Sequence, residues 1–98
     1  MEIQITHGNE MVAALSGRLD TTTSIELSKR LEAEEINEPL VIFDLKETEY
    51  ISSAGLRLLL YWKKELAKTK KAIEIHNLNS VCQEVFKVTG FGNILNVK

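Results

Sequence analysis

The sequence predicts an α/β domain in which a small mixed sheet, in the order ββαβαβαβ, is backed by helices. Three observations predict it. Two short alternating stretches flank Gly8-Asn9 and read as a hairpin. Strand-length apolar stretches then alternate with helix-length amphipathic ones, a pattern that favours right-handed crossovers and parallel pairing at the sheet centre. One of these strands, "LVIFDL", is apolar almost throughout, as a strand buried on both faces should be. With 98 residues there is room for one core, so 1–98 reads as a single domain.

The elements follow in order. "EIQITH" alternates Ile3 and Ile5 with polar neighbours, and "MVAALSG" returns beside it after the turn. In "RLDTTTSIELSKRLEAEEI", Thr23 and Glu26 have capping-box spacing, and Leu27 and Leu31 share a helical face. Asp20 stands just before this helix, where a carboxylate meets a positive dipole end. Pro39 precedes the central strand. A helix over roughly 55 to 68 gathers Leu56, Leu59, Leu60, Leu66 and Ala67 on one side, with Arg57, Lys64 and Lys68 opposite. "AIEIH" is a fourth strand. "NSVCQEVFKVTG" is a third helix, with Ser80 and Gln83 as a capping box, Val81, Val85 and Val88 packing together, and Gly90 as the stop. "NILNV" closes the sheet as a short strand.

Composition narrows the function. An apolar fraction of 44% and a charged fraction of 27% are those of an ordinary globular domain. The formal net charge of −2 argues against direct nucleic-acid binding and against an anionic membrane surface. No apolar run nears the ~20 residues of a membrane span, and "MEIQITHGNE" lacks a signal peptide's basic start. Cys82 is the sole cysteine, so an intrachain disulfide is impossible, and a cytoplasmic location is the simplest expectation. No phosphate-binding Gly-x-x-x-x-Gly-Lys, metal-ligand spacing or basic-aromatic patch occurs, so neither a metal nor a cofactor is expected. The five lysines of "KKELAKTKK" read as a solvated helix end. Tyr61 and Trp62 read as core or core edge, and Cys82 as a small buried hydrophobe.

One stretch asks for more. "YISSAGLRLLL", residues 50 to 60, puts Ser52, Ser53, Ala54 and Gly55 where a strand's carboxyl end feeds a helix. Open α/β sheets bind ligands at such places, and free N–H groups there welcome negative charge. Ala54 and Gly55 leave room for a close neighbour. A plain N-cap is the competing reading, although a cap needs one hydroxyl and no small neighbours. A serine hydrolase fits poorly. Its elbow needs Gly-x-Ser-x-Gly, and Tyr50 or Ile51 stands at the leading glycine. Nothing places His7 or His76 beside Ser53 as a base, so no catalytic residue is assigned.

"GRLD" at 17–20, "VIFDL" at 41–45, "YISSAGLRLLL" and "VFKVTGF" together resemble the STAS domain, in particular the bacterial anti-sigma factor antagonists. The resemblance runs over essentially the whole chain in the same order. It implies a sheet backed by helices and a non-enzymatic binding protein, a monomer when free. An anti-sigma factor that is also a serine kinase would bind the unphosphorylated form and release a sigma factor. Phosphorylation at Ser53 would break the complex, and a serine phosphatase would reset it. Ser52 is a second acceptor candidate. The implied partner surface comprises Asp20, Thr21, Ser52, Ser53, Ala54, Gly55, Leu56 and Arg57. The family often carries aspartate before the modified serine and serine or threonine after it; here Ser52 and Ala54 stand there. STAS domains also occur on anion transporters, against which the lack of a membrane segment argues, and as scaffold subunits of lipid-transport or stressosome-like assemblies, which is the alternative reading.

Overall fold

Ile3 and Ile5 face the interior from β1 (Glu2–Thr6), which pairs antiparallel with β2 (Met11–Leu19) through the Gly8-Asn9 turn. The computed structural model describes all residues 1–98. Helix α1 (Thr21–Ala33) leads to β3 (Leu40–Asp44), β4 (Thr48–Ile51), α2 (Ser53–Ala67), β5 (Ala72–His76) and α3 (Ser80–Thr89). The main sheet runs β1-β2-β3-β5, with β3 parallel to both its neighbours. The expected central strand is therefore confirmed, with Val41, Ile42 and Phe43 all buried.

Two strands differ from the sequence reading. Thr48–Ile51, which the sequence reading assigns to no element, is β4 and pairs parallel with the far end of β2. Gly17, at φ +102°, makes this possible: β2 shifts register between Gly17 and Arg18, and its edge passes from β3 to β4. A left-handed φ of this kind is costly for any residue with a Cβ. The turn between β3 and β4 is pinned by Thr48 N–H donating to the Leu45 carbonyl (3.0 Å) and the Thr48 hydroxyl donating to that of Leu15 (2.8 Å). The "NILNV" strand reduces to a single bridge between Val97 and Ile75; a 3-10 turn at Phe91–Asn93 uses the preceding chain instead.

The core fills the space between one sheet face and the helices. Met11, Ala13 and Leu15 of β2, Phe43 of β3 and Ile75 of β5 meet Leu27 and Leu31 of α1 and Leu56 and Leu59 of α2. The inward stripe of α2 turns toward Trp62, which is buried and donates its indole N–H to Ser28 Oγ (3.3 Å) on α1. Leu60 and Ala67 fall off that stripe. In α3 the inward face is Cys82 and Phe86. Val81 and Val88, expected to pack with Val85, are 53% and 74% exposed and help line a depression of about 570 Å³ on the outer face of α3. The reason lies at the helix start, where Asn79 caps Cys82 N–H and donates to the Thr48 carbonyl (2.6 Å), rotating α3. Asn79, not Ser80, is thus the N-cap; Gly90 at φ +75° ends the helix as expected.

At the end of the sheet where β1 finishes, His7 lies between two carboxylates. Its Nδ1 is 2.7 Å from Glu38 and its Nε2 3.0 Å from Glu34. Hydrogen bonds to Glu34 and then Glu38 raise the His7 pKa above its ordinary value. Burial pushes Glu38 upward, but the bond from His7 and two backbone N–H groups outweigh it and hold the carboxyl below its usual range. Arg30 also faces this cluster, 3.9 Å from Glu34. The raised histidine contributes stability that is complete below about pH 6.5 and is lost as pH rises through its folded value. The melting temperature of wild type should therefore exceed that of His7→Gln by more at about pH 5.5 than at about pH 8. A pH-independent difference would refute the linkage.

Candidate functional site

Pairing of β4 with the end of β2 brings the starts of α1 and α2 together. Leu19 lies opposite Ile51, and Ser52 N–H donates to the Leu19 carbonyl at 2.9 Å. One residue on, Asp20 caps α1 and Ser52 caps α2. The chain thus leaves two adjacent strand ends into two adjacent helices.

The caps differ from the spacing argument. Thr23 is not the N-cap of α1 but its third residue: Asp20 Oδ1 accepts from Thr23 N–H (3.1 Å), and Thr23 Oγ1 accepts from Asp20 N–H (2.8 Å). This is a capping box with threonine in the usual Glu/Gln position. The backbone bond from Thr23 is the main influence that holds the Asp20 carboxyl below its usual range, against burial, with Arg18 and the Thr23 hydroxyl assisting. Asp20 is consequently a carboxylate fixed in place rather than a swinging one.

The two serines have different duties. Ser52 Oγ accepts from Gly55 N–H at 3.2 Å, so Ser52 is the cap. Ser53 is the first residue of α2 and is exposed. Removing its hydroxyl takes nothing from the helix start. Its position, one residue inside a helix whose cap is neutral, suits added negative charge.

Gly55 explains the small residues. A Cβ built there would lie 2.7 Å from the Leu19 carbonyl oxygen and 2.8 Å from Leu19 Cγ. The backbone of α2 therefore rests against the end of β2. Gly55 and Leu56 are buried and hold the helix in position; of the expected partner surface they are the two residues that do not reach it. Thr21, Ser53 and Arg57 are exposed, while Asp20, Ser52 and Ala54 are half-buried at the same end.

Two further residues lie just ahead of the caps on the same two strands. Arg18, the cross-strand partner of Tyr50, places its guanidinium 4.7 Å from the centre of the Tyr50 ring, within cation–π range. Both are exposed. Their pairing is invisible until 48–51 is recognised as a strand. The histidines lie elsewhere: His7 between Glu34 and Glu38, and His76 beside Glu74 at 2.9 Å. No three His, Cys, Asp or Glu residues converge as metal ligands, and no helix is long and apolar enough to cross a membrane.

Comparison with known proteins gives this arrangement a context. A family model described as "Mlab, STAS domain" matches residues 4–96. A Bordetella bronchiseptica protein named "Putative anti-sigma factor antagonist BtrV" is 33% identical over 88 residues, spanning 89% of this chain and 76% of its own. The solved structure of the anti-sigma factor antagonist SpoIIAA in its unphosphorylated form is 18% identical, with a TM-score of 0.82 over 99% of this chain and 88% of that one. A sulfate transporter family protein from Wolinella succinogenes is 13% identical, with a TM-score of 0.80 over 96% of this chain and 80% of its own. At these identities the two structures establish the fold alone.

Proposed function

The chain belongs to the STAS domain family, with the anti-sigma factor antagonists, and from that premise we propose that it is a binding module switched by phosphorylation at Ser53. Unmodified, it holds an anti-sigma factor with serine kinase activity, and a sigma factor is released. The kinase transfers a phosphoryl group from a nucleoside triphosphate to Ser53 Oγ, with loss of the hydroxyl proton and release of the diphosphate. A serine phosphatase restores the hydroxyl by hydrolysis.

The observation that carries this reading is the division of labour between the serines. Ser53 is exposed at the helix start, and Ser52 is already committed to Gly55 N–H. A phosphate adds roughly −1.5 to −2 charge at neutral pH. Exposed charge of that sign at a helix start favours the fold by about 0.3–1 kcal/mol, so modification changes the surface and not the fold. Asp20, Thr21 and Arg57 complete the docking face, with Arg18 on Tyr50 beside it.

Incubation with the cognate kinase tests this directly. Intact-mass and fragment spectra should place one phosphate on Ser53, and Ser53→Ala should take none. Ser52→Ala should still be labelled while losing about 1 kcal/mol of stability with its cap. Labelling of Ser53→Ala at the wild-type rate would move the site to Ser52. A second reading within the same family is an unmodified scaffold subunit of a lipid-transport or stressosome-like assembly. In that case neither serine is labelled although a partner is bound.

A further inference from the structure

Arg57 is a cation with no acidic residue one turn away on its own helix. Helix neighbours lie three and four residues away, which for Arg57 are Ser53, Ala54, Leu60 and Tyr61. None of them is acidic, and Arg57 takes part in none of the five ion pairs of the molecule. Further along α2, Glu65 pairs with Lys68 just past the helix end at 3.0 Å, while Lys63 and Lys64, like Arg57, join no ion pair. Within the chain itself, modification of Ser53 would put an anion within reach of Arg57 on this face.

The geometry favours such a contact in three ways. Ser53 and Arg57 are both exposed and one turn apart on the same face. Long side chains in a helix lean toward its N-terminus, so Arg57 covers the turn that holds Ser53. An anion four residues before a cation is also the better of the two orientations. Arg18 is already stacked on Tyr50, and Asp20 is engaged with Thr23. A guanidinium grips phosphate oxygens through paired N–H donors, which a lysine cannot do.

We infer that a phosphate on Ser53 is gripped in cis by the guanidinium of Arg57. This rests on Ser53 as the modified residue. Modification then alters the docking face twice, adding a dianion at Ser53 and withdrawing the free cation at Arg57. A partner that reads Arg57 through a carboxylate loses that contact at the moment it meets the phosphate. The grip also orders the phosphate along the helix instead of leaving it free to swing away.

The test uses full-length protein carrying phosphoserine at 53, introduced during translation so that no kinase is needed. Phosphorus NMR follows its second ionisation, ordinarily near pH 6. Wild type should ionise at least about twofold more readily than Arg57→Ala, a displacement of about 0.3 pH unit. Arg57→Lys should recover only part of it. Lys64→Ala, which removes the same charge two turns further along α2, should titrate as wild type does. Identical curves for wild type and Arg57→Ala would overturn the inference, as would an equal displacement by Lys64→Ala. Because the phosphate is installed independently, a failed kinase assay would count against the switch alone.

Discussion

Gly55→Ala is expected to melt below wild type, although alanine is the better helix former. In an open helix the change would gain about 0.5–1 kcal/mol. Here the new methyl would stand 2.7 Å from the Leu19 carbonyl oxygen and 2.8 Å from Leu19 Cγ. The carbonyl cannot retreat cheaply, because it already accepts from Ser52 N–H at 2.9 Å. Overpacking of this kind costs about 1–3 kcal/mol, which exceeds the propensity gain. A net loss on the order of 1–2 kcal/mol follows, and each kcal/mol lowers the melting temperature of a domain this size by about 4–8 °C. Partner binding should weaken too, since α2 must lift away from the end of β2 and carry Ser53 with it. A variant that melts at or above wild type would mean that the helix does not need this close approach.

The same residue shows what the sequence revealed and where it stopped. A glycine after two serines signalled that something comes close, and the neighbour is backbone. Its identity, Leu19, depended on β4, which the sequence did not reveal. "TEYI" presents two exposed residues between two buried ones, so it carries neither the alternation of a half-buried strand nor the run of a buried one. Only pairing beyond the Gly17 shift makes it a strand. Arg18 and Tyr50 went unremarked for that reason. The helix starts show a related limit. Spacing located α1 and α3 but chose the wrong caps, because a cap is the residue whose backbone leaves the helix, and Asp20 and Asn79 do so just ahead of Thr23 and Ser80. The valines of α3 were read inward from periodicity alone, when the anchor of Asn79 on Thr48 sets the rotation. By contrast, the hairpin, the central strand, α2 and the cap-adjacent carboxylate were legible, since each is written in contiguous residues.

Ser53→Asp should separate stability from binding. The residue is first in α2 and exposed, and its cap is supplied by Ser52, so no native hydrogen bond at the helix start is lost. A carboxylate there complements the helix dipole by about 0.3–1 kcal/mol, and the melt should match or slightly exceed that of wild type. Binding to the proposed anti-sigma factor partner should nevertheless weaken at least tenfold. That needs only about 1.4 kcal/mol, and a charge forced into an interface without a partner costs several. Ser53→Ala, which adds no charge, should fold and bind as wild type does while remaining permanently in the binding state. Calorimetric titration of the three proteins, with melts alongside, decides the matter. A Ser53→Asp protein that binds like wild type would remove this residue from the interface. One that melts far below wild type would attribute its weak binding to unfolding, and α2 would then depend on the hydroxyl in a way that the exposed position of Ser53 does not allow.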